Sequence, residues 1–540
     1  MKTKLISLCT VLASVVNPIE VRAQWSSDST LNTIVADGIG SQAVPTIRPA
    51  SNGGVWISFW DSSSGGGLRP VIQRLDAEGN RALPGNGIEL SARTNTASYT
   101  TDMKSDAAGN AYVVFDDNAG GIQTTRAHKV LPDGTLAWGS QGVAIPGSST
   151  SLSCRIAPCA DGTVVVLYQQ NSTTLGFQRI NADGSLPTGG AWTVTEASRA
   201  HVPSDLIAAP SGGDVIALWV RAEGTNLITS RKGLRIQRFS SSNQALWNSG
   251  TFVDVYQSAS VSGVTRSLSI AYYPTMVSDG AGGAVISWYD GGTARNAWLQ
   301  HVSSDGTQRF AQNGLAMSSV AGTLEYRLAV AAAYDTASGN YVVAFERSNT
   351  NQSQFGLNVQ RVSAEGVIEW GANGIELYPI VAGSNHKNFI NASPASGDTT
   401  LLTWFDYQGA SAPVWVKARR LDSGGQNVWS SELLVSNTSS AKGRLGMSAT
   451  SFSDMFVVAF SDSINGTDDI RAQNINIDGT LGPVNRCRAD FNGDSGVDSD
   501  DVIAFFGAWD SADPAADFTL DGGVDSDDVI AFFGAWDAGC

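Results

Sequence analysis

PTMVSDGAGGAVISWYD, Pro274–Asp290, followed after six residues by AWLQHVSSDGTQRFAQNGLAMS, Ala297–Ser318, holds four short apolar runs separated by turn residues. The second run, Ala284 to Trp288, follows a Gly pair; the third ends at Gln300-His301, and Asp305-Gly306 leads to the fourth. Runs rich in β-branched and aromatic residues, bounded by Gly and Asp, are strands joined by tight turns. The aromatic that closes the second run recurs as Phe59, Phe115, Tyr168, Trp219, Trp288, Phe345, Trp404 and Phe460, at intervals of 51 to 69 residues. Four strands in a repeat of that length make a β-propeller blade. The pattern therefore predicts a mostly β chain with an eight-bladed ring over 24–486; seven blades and a separate domain are the alternative.

Two smaller signals travel with the repeat. Gln73, Gln178, Gln237, Gln300, Gln360 and Gln473 mark the third strand, and a Gly followed four residues later by a bulky apolar residue marks the passage to the fourth, as in Gly134 with Trp138 and Gly306 with Phe310. That bulky residue is expected to dock on the neighbouring blade. The eighth unit stops at Asp478-Gly479 without a fourth strand, whereas Trp25-Ser-Ser with Leu31 to Val35 stands alone and matches Trp429-Ser-Ser before Leu433. The N-terminal strand is thus expected to complete the last blade, which removes an open sheet edge.

The chain has 540 residues, 42% hydrophobic and 16% charged, with 58 glycines and a net charge of −16. From Cys487 onward there are 13 Asp and one Arg, so the acidity is concentrated at the C-terminal end. Such a surface excludes nucleic acid, which needs basic residues. Lys2 and Lys4 ahead of the apolar run Leu5–Val16, with a small-residue exit at Ala23, read as a signal peptide over 1–23. The run is too short for a membrane span, so the mature protein is expected outside the cell or on its surface. Four cysteines remain after that segment, and two local pairs, Cys154 with Cys159 and Cys487 with Cys540, are the expected disulfides.

In 487–540 the fifteen residues GVDSDDVIAFFGAWD recur unchanged, Gly496–Asp510 and Gly523–Asp537. Counting from Asp490, Asp490, Asn492, Asp494, Asp498 and Asp501 fall at positions 1, 3, 5, 9 and 12 of a loop, with Gly496 offering its carbonyl at position 7. Asp517, Thr519, Asp521, Gly523, Asp525 and Asp528 repeat the set. These are the coordination positions of a twelve-residue calcium loop, since a hard cation takes six to eight oxygens. Two calcium ions are expected. After each loop Val502, Phe505, Phe506 and Trp509, then Val529, Phe532, Phe533 and Trp536, share one helical face.

Two such loops, each running into one helix at the end of a secreted chain, resemble type I dockerins, and the ending Ala538-Gly539-Cys540 resembles their GC-type variant. The resemblance implies a cohesin-like domain or an envelope receptor as partner. It implies Ser499 with Asp500 and Ser526 with Asp527, loop positions 10 and 11, as the partner-binding residues, usable in two orientations. Position 6 of the first loop is Ser495 where such loops favour Gly.

In the body, Asp61, Asp116, Asp290, Glu346, Asp406 and Asp462 follow the second strands and are predicted to ring one face. Two readings stand: a face for a polysaccharide or cation, with Trp60, Tyr289 and Phe405 stacking on sugars, or acids that each cap a turn. The catalytic residues stay unassigned. No nucleophile elbow and no phosphate-binding loop accompany His128, His201, His301 and His386. The function expected is calcium-dependent attachment of a non-catalytic, carbohydrate- or surface-binding propeller to an extracellular assembly; the alternative is a polysaccharide-degrading hydrolase or lyase with its site on that face.

Overall fold

The computed structural model describes residues 25–540 apart from 64–66, 92–100, 119–122, 149–152, 262–263, 294, 320–324, 411–412, 453, 465, 484–488, 493–495, 520–522 and 539–540. The expected signal peptide, the Cys487–Cys540 pair, Asp494 and Asp521 therefore lie outside the described residues. The chain divides into two compact units, one ending at Gly482 and one running from Pro483 to the C-terminus.

Among the described residues of the first unit, the repeat becomes eight four-stranded antiparallel sheets, each an up-and-down meander. Blades 1 to 7 span Gln42–Glu89, Thr101–Ala144, Cys154–Thr195, His201–Tyr256, Met276–Ala316, Glu325–Tyr378 and Lys387–Ser436. Blade 8 takes three strands from Ala441–Asn476 and its fourth from Thr33–Ala36, which pairs antiparallel with Thr467–Asn476. Eight blades closed by the N-terminal strand are what the sequence predicts, and the seven-blade alternative is set aside. The longest interval, between Trp219 and Trp288, holds an additional hairpin, Ala259–Val261 with Val264–Arg266.

Each second strand is buried on both faces, and all eight marker aromatics, Phe59 to Phe460, lie in the core. The first strand of each blade lines the bore, beside the first strands of its neighbours. On the outside, the turn before the fourth strand takes up the docking residue of the preceding blade. Trp25, Trp138, Trp247, Trp370 and Trp429 donate their indole N–H to the carbonyls of Ala77, Ala182, Ser304, Ser423 and Ile477 at 2.7 to 3.1 Å. The ring lies against a turn glycine: Gly306 has φ +89°, and a Cβ there would sit 2.7 Å from Trp247. Phe310 makes the same approach to Gly366, and Leu83 to Gly134.

Apart from Gln178, which donates to the carbonyl of Arg179 at 2.7 Å, the buried glutamines of the third strands explain themselves in this frame. Gln237 accepts from the backbone N–H of Trp247 at 2.9 Å and donates to its carbonyl at 3.3 Å. Gln73 does so for Leu83 and Gln300 for Phe310, always ten residues ahead, while Gln360 accepts from the N–H of Trp370 and donates to the carbonyl of Gly371. A side-chain amide thus replaces a peptide group and fixes the docking residue. Gln473 performs the closure: it donates to the carbonyl of Ser26 at 2.7 Å and accepts from Asn32 at 3.2 Å. Blade 4 departs from the pattern, with Asn243 at φ +65° in place of the glycine and its amide donating to the carbonyl of Gly189.

One expectation is corrected. Cys154 and Cys159 are free, buried thiols. The strand Cys154–Pro158 extends between them, so five residues hold their Cα atoms about 16 Å apart, beyond the reach of a disulfide.

In the second unit, two helices, α1 (Ser499–Asp510) and α2 (Ser526–Ala538), face each other. Phe505 and Phe532 stack in parallel with centroids 4.2 Å apart, and Val502, Phe506, Trp509, Val529, Phe533 and Trp536 pack around them. The shared face is the one that the i, i+3, i+4, i+7 spacing predicts. Trp509 donates to the carbonyl of Asp525 at 3.0 Å and Trp536 to that of Asp498 at 3.3 Å, a reciprocal pair of links between the repeats. No helix among the described residues is long and apolar enough to cross a membrane.

Two outcomes are expected. Trp247→Ala costs about 3–5 kcal/mol in chemical unfolding, Gly306→Ala is also destabilising, and the double variant is less destabilised than the sum because the shortened side chain makes room for the new Cβ. Removing residues 25–36 leaves blade 8 with an open edge; the truncated protein melts lower and self-associates in sedimentation, and an unchanged monomer would contradict the closure.

Candidate functional site

The six carboxylates after the second strands are all buried. Their oxygens are engaged locally. Asp61 accepts from Gln42 Nε2 at 3.0 Å and from the N–H of Ser63 at 2.8 Å, and Asp116 from Thr125 Oγ1 at 3.0 Å. Asp406 lies 2.6 Å from Lys387 Nζ and 2.7 Å from Lys417 Nζ. Asp462 accepts from Ser440 and Thr438 and pairs with Lys442 at 3.4 Å. These four carboxylates tie strand ends together and offer no open acidic rim. Trp60 and Phe405 are likewise buried and pack within the blades, so of the three aromatics only Tyr289 borders open space.

Asp290 and Glu346 border a cavity of about 730 Å³ on that face, over blades 5 to 8. Asp290 accepts from the Tyr256 hydroxyl and from the N–H groups of Ser267 and Gly292. Burial raises its pKa above the usual carboxylate value, with those hydrogen bonds opposing. Glu346 accepts from the N–H of Lys387 at 2.7 Å and from His386 Nδ1 at 2.9 Å, and the His386 ring stacks on Phe355. Tyr272 and Tyr289 lie together with centroids 4.1 Å apart, and burial raises the pKa of both hydroxyls.

The remainder of the wall comes from the inner strands, where the ladder is interrupted by bulges. Register shifts fall between Leu328 and Val330, Asn388 and Asn391, and Gly443 and Gly446. They place Ala329, Phe389 and Arg444 at φ +43°, +49° and +54°. Arg295 and Gln352 are also left-handed, so this one cavity takes five of the 14 left-handed non-glycine residues described. Each such residue costs about 1–3 kcal/mol and persists only where its surroundings impose it, most often at functional sites. Sequence reading missed Arg295, Phe389 and Arg444, because a left-handed turn without Gly or Asn carries no residue signal. Of the four histidines it considered, only His386 borders this cavity.

Val330 and Ile390 line both this cavity and the bore beneath it, a further space of about 600 Å³. There Lys104 of blade 2 reaches Asp205 of blade 4 at 3.1 Å, and Asp205 accepts from the N–H of Met276 in blade 5 at 2.9 Å. A smaller cavity of about 270 Å³ is bordered by Arg221, Glu223, Arg235 and Asp254, whose charges pair with neighbouring side chains.

The Asp-Gly turns are structural: Asp133, Asp183 and Asp305 each accept from the N–H two residues on at 2.8 to 2.9 Å. In the C-terminal unit, Asp501 and Asp528 are buried, and each accepts two backbone N–H bonds from its own loop. The donors are Asn492 and Asp498 for the first, and Thr519 and Asp525 for the second, at 2.8 to 3.0 Å. Among the described residues no group of three or more His, Cys, Asp or Glu is gathered closely enough to hold a metal. Asp498 and Asp525 accept from the N–H groups of Asp500 and Asp527 at 2.9 Å, capping the two helices alike.

No family model matches the chain, and no curated protein matches it. It is similar in structure to a protein of unknown function from Dyadobacter fermentans, with 9% identity over 86% of this chain and 98% of that one at a TM-score of 0.39. A polysaccharide lyase gives 9% identity over 86% and 94% at 0.40. A puromycin hydrolase gives 13% identity over 81% of this chain but 63% of its own at 0.38.

Burial lowers the pKa of His128 and of His201 to about 4. An unfolded His titrates near 6.5, so as pH falls from about 6.5 to 4 the unfolded chain binds the extra protons first. Propeller stability therefore declines through that window, by on the order of 3 kcal/mol per His. His128 stands ten residues before Trp138, where blades 1, 4, 5 and 6 carry the clamping Gln. His128→Gln should flatten the fall in melting temperature between pH 6.5 and 4; an unchanged slope would contradict the assignment.

Proposed function

We propose that the protein is a secreted attachment module, in which residues 483–540 bind calcium and dock a saccharide- or surface-binding propeller onto an extracellular assembly. The observation that carries this reading is the symmetry of the C-terminal unit: both repeats cap their helices with the same Asp and leave the same neighbours exposed. Ser499 with Asp500, and Ser526 with Asp527, are exposed in both halves. Neither a helix cap nor a calcium loop requires residues 10 and 11 to match, so their identity in two copies favours one partner surface presented twice. A cohesin-like domain or an envelope receptor fits that surface.

The donor set fits calcium. Asp501 and Asp528 are buried carboxylates that form no ion pair among the described residues, and the only basic residue in 487–540 is Arg488. Buried charge without a partner is costly, and an oxygen-rich loop offsets it with a hard cation. Asp490, Asn492, Asp494, Asp498 and Asp501, with the Gly496 carbonyl, would hold one ion; Asp517, Thr519, Asp521, Asp525 and Asp528, with Gly523, the other. Bound calcium would offset half of the charge of the four ligand carboxylates in each loop and hold the loop against its helix.

For the propeller, the cavity over blades 5 to 8 supports binding. Its two carboxylates are occupied by hydrogen bonds from the protein, and its aromatic rings stand beside polar groups, as ligand sites do.

Chelation of calcium from the intact protein should remove helical signal and change the fluorescence of Trp509 and Trp536, while the propeller's melting transition persists. Retained helicity would count against the calcium reading. Against a panel of cohesin-like domains in calcium, changing Ser499/Asp500 or Ser526/Asp527 alone to Ala leaves binding nearly intact, and changing both pairs abolishes it; binding by the double variant would move the surface elsewhere.

A further inference from the structure

The cavity over blades 5 to 8 carries a charge pattern that selects among saccharides. Its acids are satisfied within the protein: Asp290 by the Tyr256 hydroxyl and two backbone N–H groups, Glu346 by His386 and the N–H of Lys387. Its cations are not. Arg444 is exposed at the inner-strand bulge of blade 8 and forms no ion pair among the described residues. Arg295 is held from behind: its Nε donates to the carbonyl of Gly292 at 2.9 Å and its guanidinium lies 3.9 Å from the centre of the Tyr326 ring. Among the described residues no carboxylate pairs with it, and its two terminal nitrogens keep their donors. Among the described residues these two guanidinium groups form no ion pair, on a wall shared with Tyr272, Tyr289 and Phe389, while the two carboxylates of the same wall are taken up by hydrogen bonds from the protein.

Both arginines sit in left-handed backbone, at φ +38° and +54°, although neither occupies a glycine-type turn position. A planar fork of N–H donors matches a carboxylate or a sulfate in two parallel hydrogen bonds, and such pairs strengthen where water is partly excluded. Aromatic rings beside the fork give the apolar face of a sugar a surface to lie on.

We propose that this cavity binds an acidic sugar unit, one carrying a carboxylate or a sulfate, with Arg444 and Arg295 as its anion clamp and Tyr272, Tyr289 and Phe389 as its aromatic floor. The inference rests on the reading of the propeller as saccharide-binding and names the class of saccharide.

Calorimetric titration of the full-length protein in calcium with trigalacturonate and with a sulfated heparin-type tetrasaccharide separates the carboxylate from the sulfate; cellotetraose and xylotetraose serve as neutral controls. At least one acidic probe binds, more weakly as salt is raised, and the neutral probes bind far less. Arg444→Gln and Arg295→Gln each weaken that binding by about tenfold or more, as loss of a charged hydrogen-bond donor does, and Arg444→Gln, which gives up no side-chain hydrogen bond or ion pair within the fold among the described residues, does so with no change in melting temperature. Arg444→Lys keeps the charge, loses the fork and falls between. Equal binding of neutral and acidic probes overturns the charge assignment and leaves the saccharide reading standing. Acidic binding that survives both Gln variants overturns the site, and no binding by any of the four probes overturns both.

Discussion

Except between blades 3 and 4, each blade is held to the next by an indole, or its apolar substitute, pressed on a glycine turn that has no side chain to obstruct it. The N–H of Trp247 reaches the carbonyl of Ser304 while its ring covers Gly306 at φ +89°. Neither half works without the other. A Cβ on that glycine would meet the ring, and without the ring the turn would face solvent. Because a blade is a twisted four-stranded sheet with no covalent tie to its neighbour beyond one loop, this contact sets blade spacing on the outside. The inner strands set it around the bore. Gln237 makes the contact specific by holding both backbone groups of Trp247, so the indole enters its neighbour at a fixed angle.

Much of this was legible because it repeats. The second-strand aromatics gave the blade count, and the orphan Trp25-Ser-Ser revealed the closure since its match, Trp429-Ser-Ser, stands in a complete blade. The helix face of the C-terminal unit followed from spacing alone. What could not be read was whatever depends on burial or on reach. Asp406 and Asp462 look like ligands in sequence, yet Lys387 and Lys442, 19 and 20 residues earlier, lie opposite them in register and pair with them. The cysteines five apart looked bridgeable until a strand ran between them. The cavity was illegible for a different reason: Phe389 and Arg444 adopt left-handed conformations imposed by the bulged ladder, and nothing in their identity signals it.

The two units contrast in how they treat charge. The propeller buries carboxylates against lysines, arginines, hydroxyls and peptide N–H groups, and carries the result as internal structure. Among the described residues, the C-terminal unit holds Asp501 and Asp528 through backbone N–H groups, with the Thr519 hydroxyl also reaching Asp528, and pairs neither with a cation. Backbone N–H groups and a hydroxyl orient a carboxylate but carry no compensating unit charge, so the two units differ in how the charge of a buried acid is met.

The closure of blade 8 also decides how the ring responds to force. The chain leaves the propeller at Gly482, whose carbonyl accepts from Asn474 at 2.6 Å and whose N–H donates to the same side chain at 3.0 Å. That exit lies beside Ser27, so both ends of the ring meet at one blade. Tension on the C-terminal end is thus transmitted first to the strand Thr467–Asn476, which is hydrogen-bonded on one side to Met455–Ile464 and on the other to Thr33–Ala36. Pulled along its length, that strand loads two ladders in shear, so many hydrogen bonds share the load at once and do not unzip one by one. The element that closes the circle is therefore also its mechanical anchor.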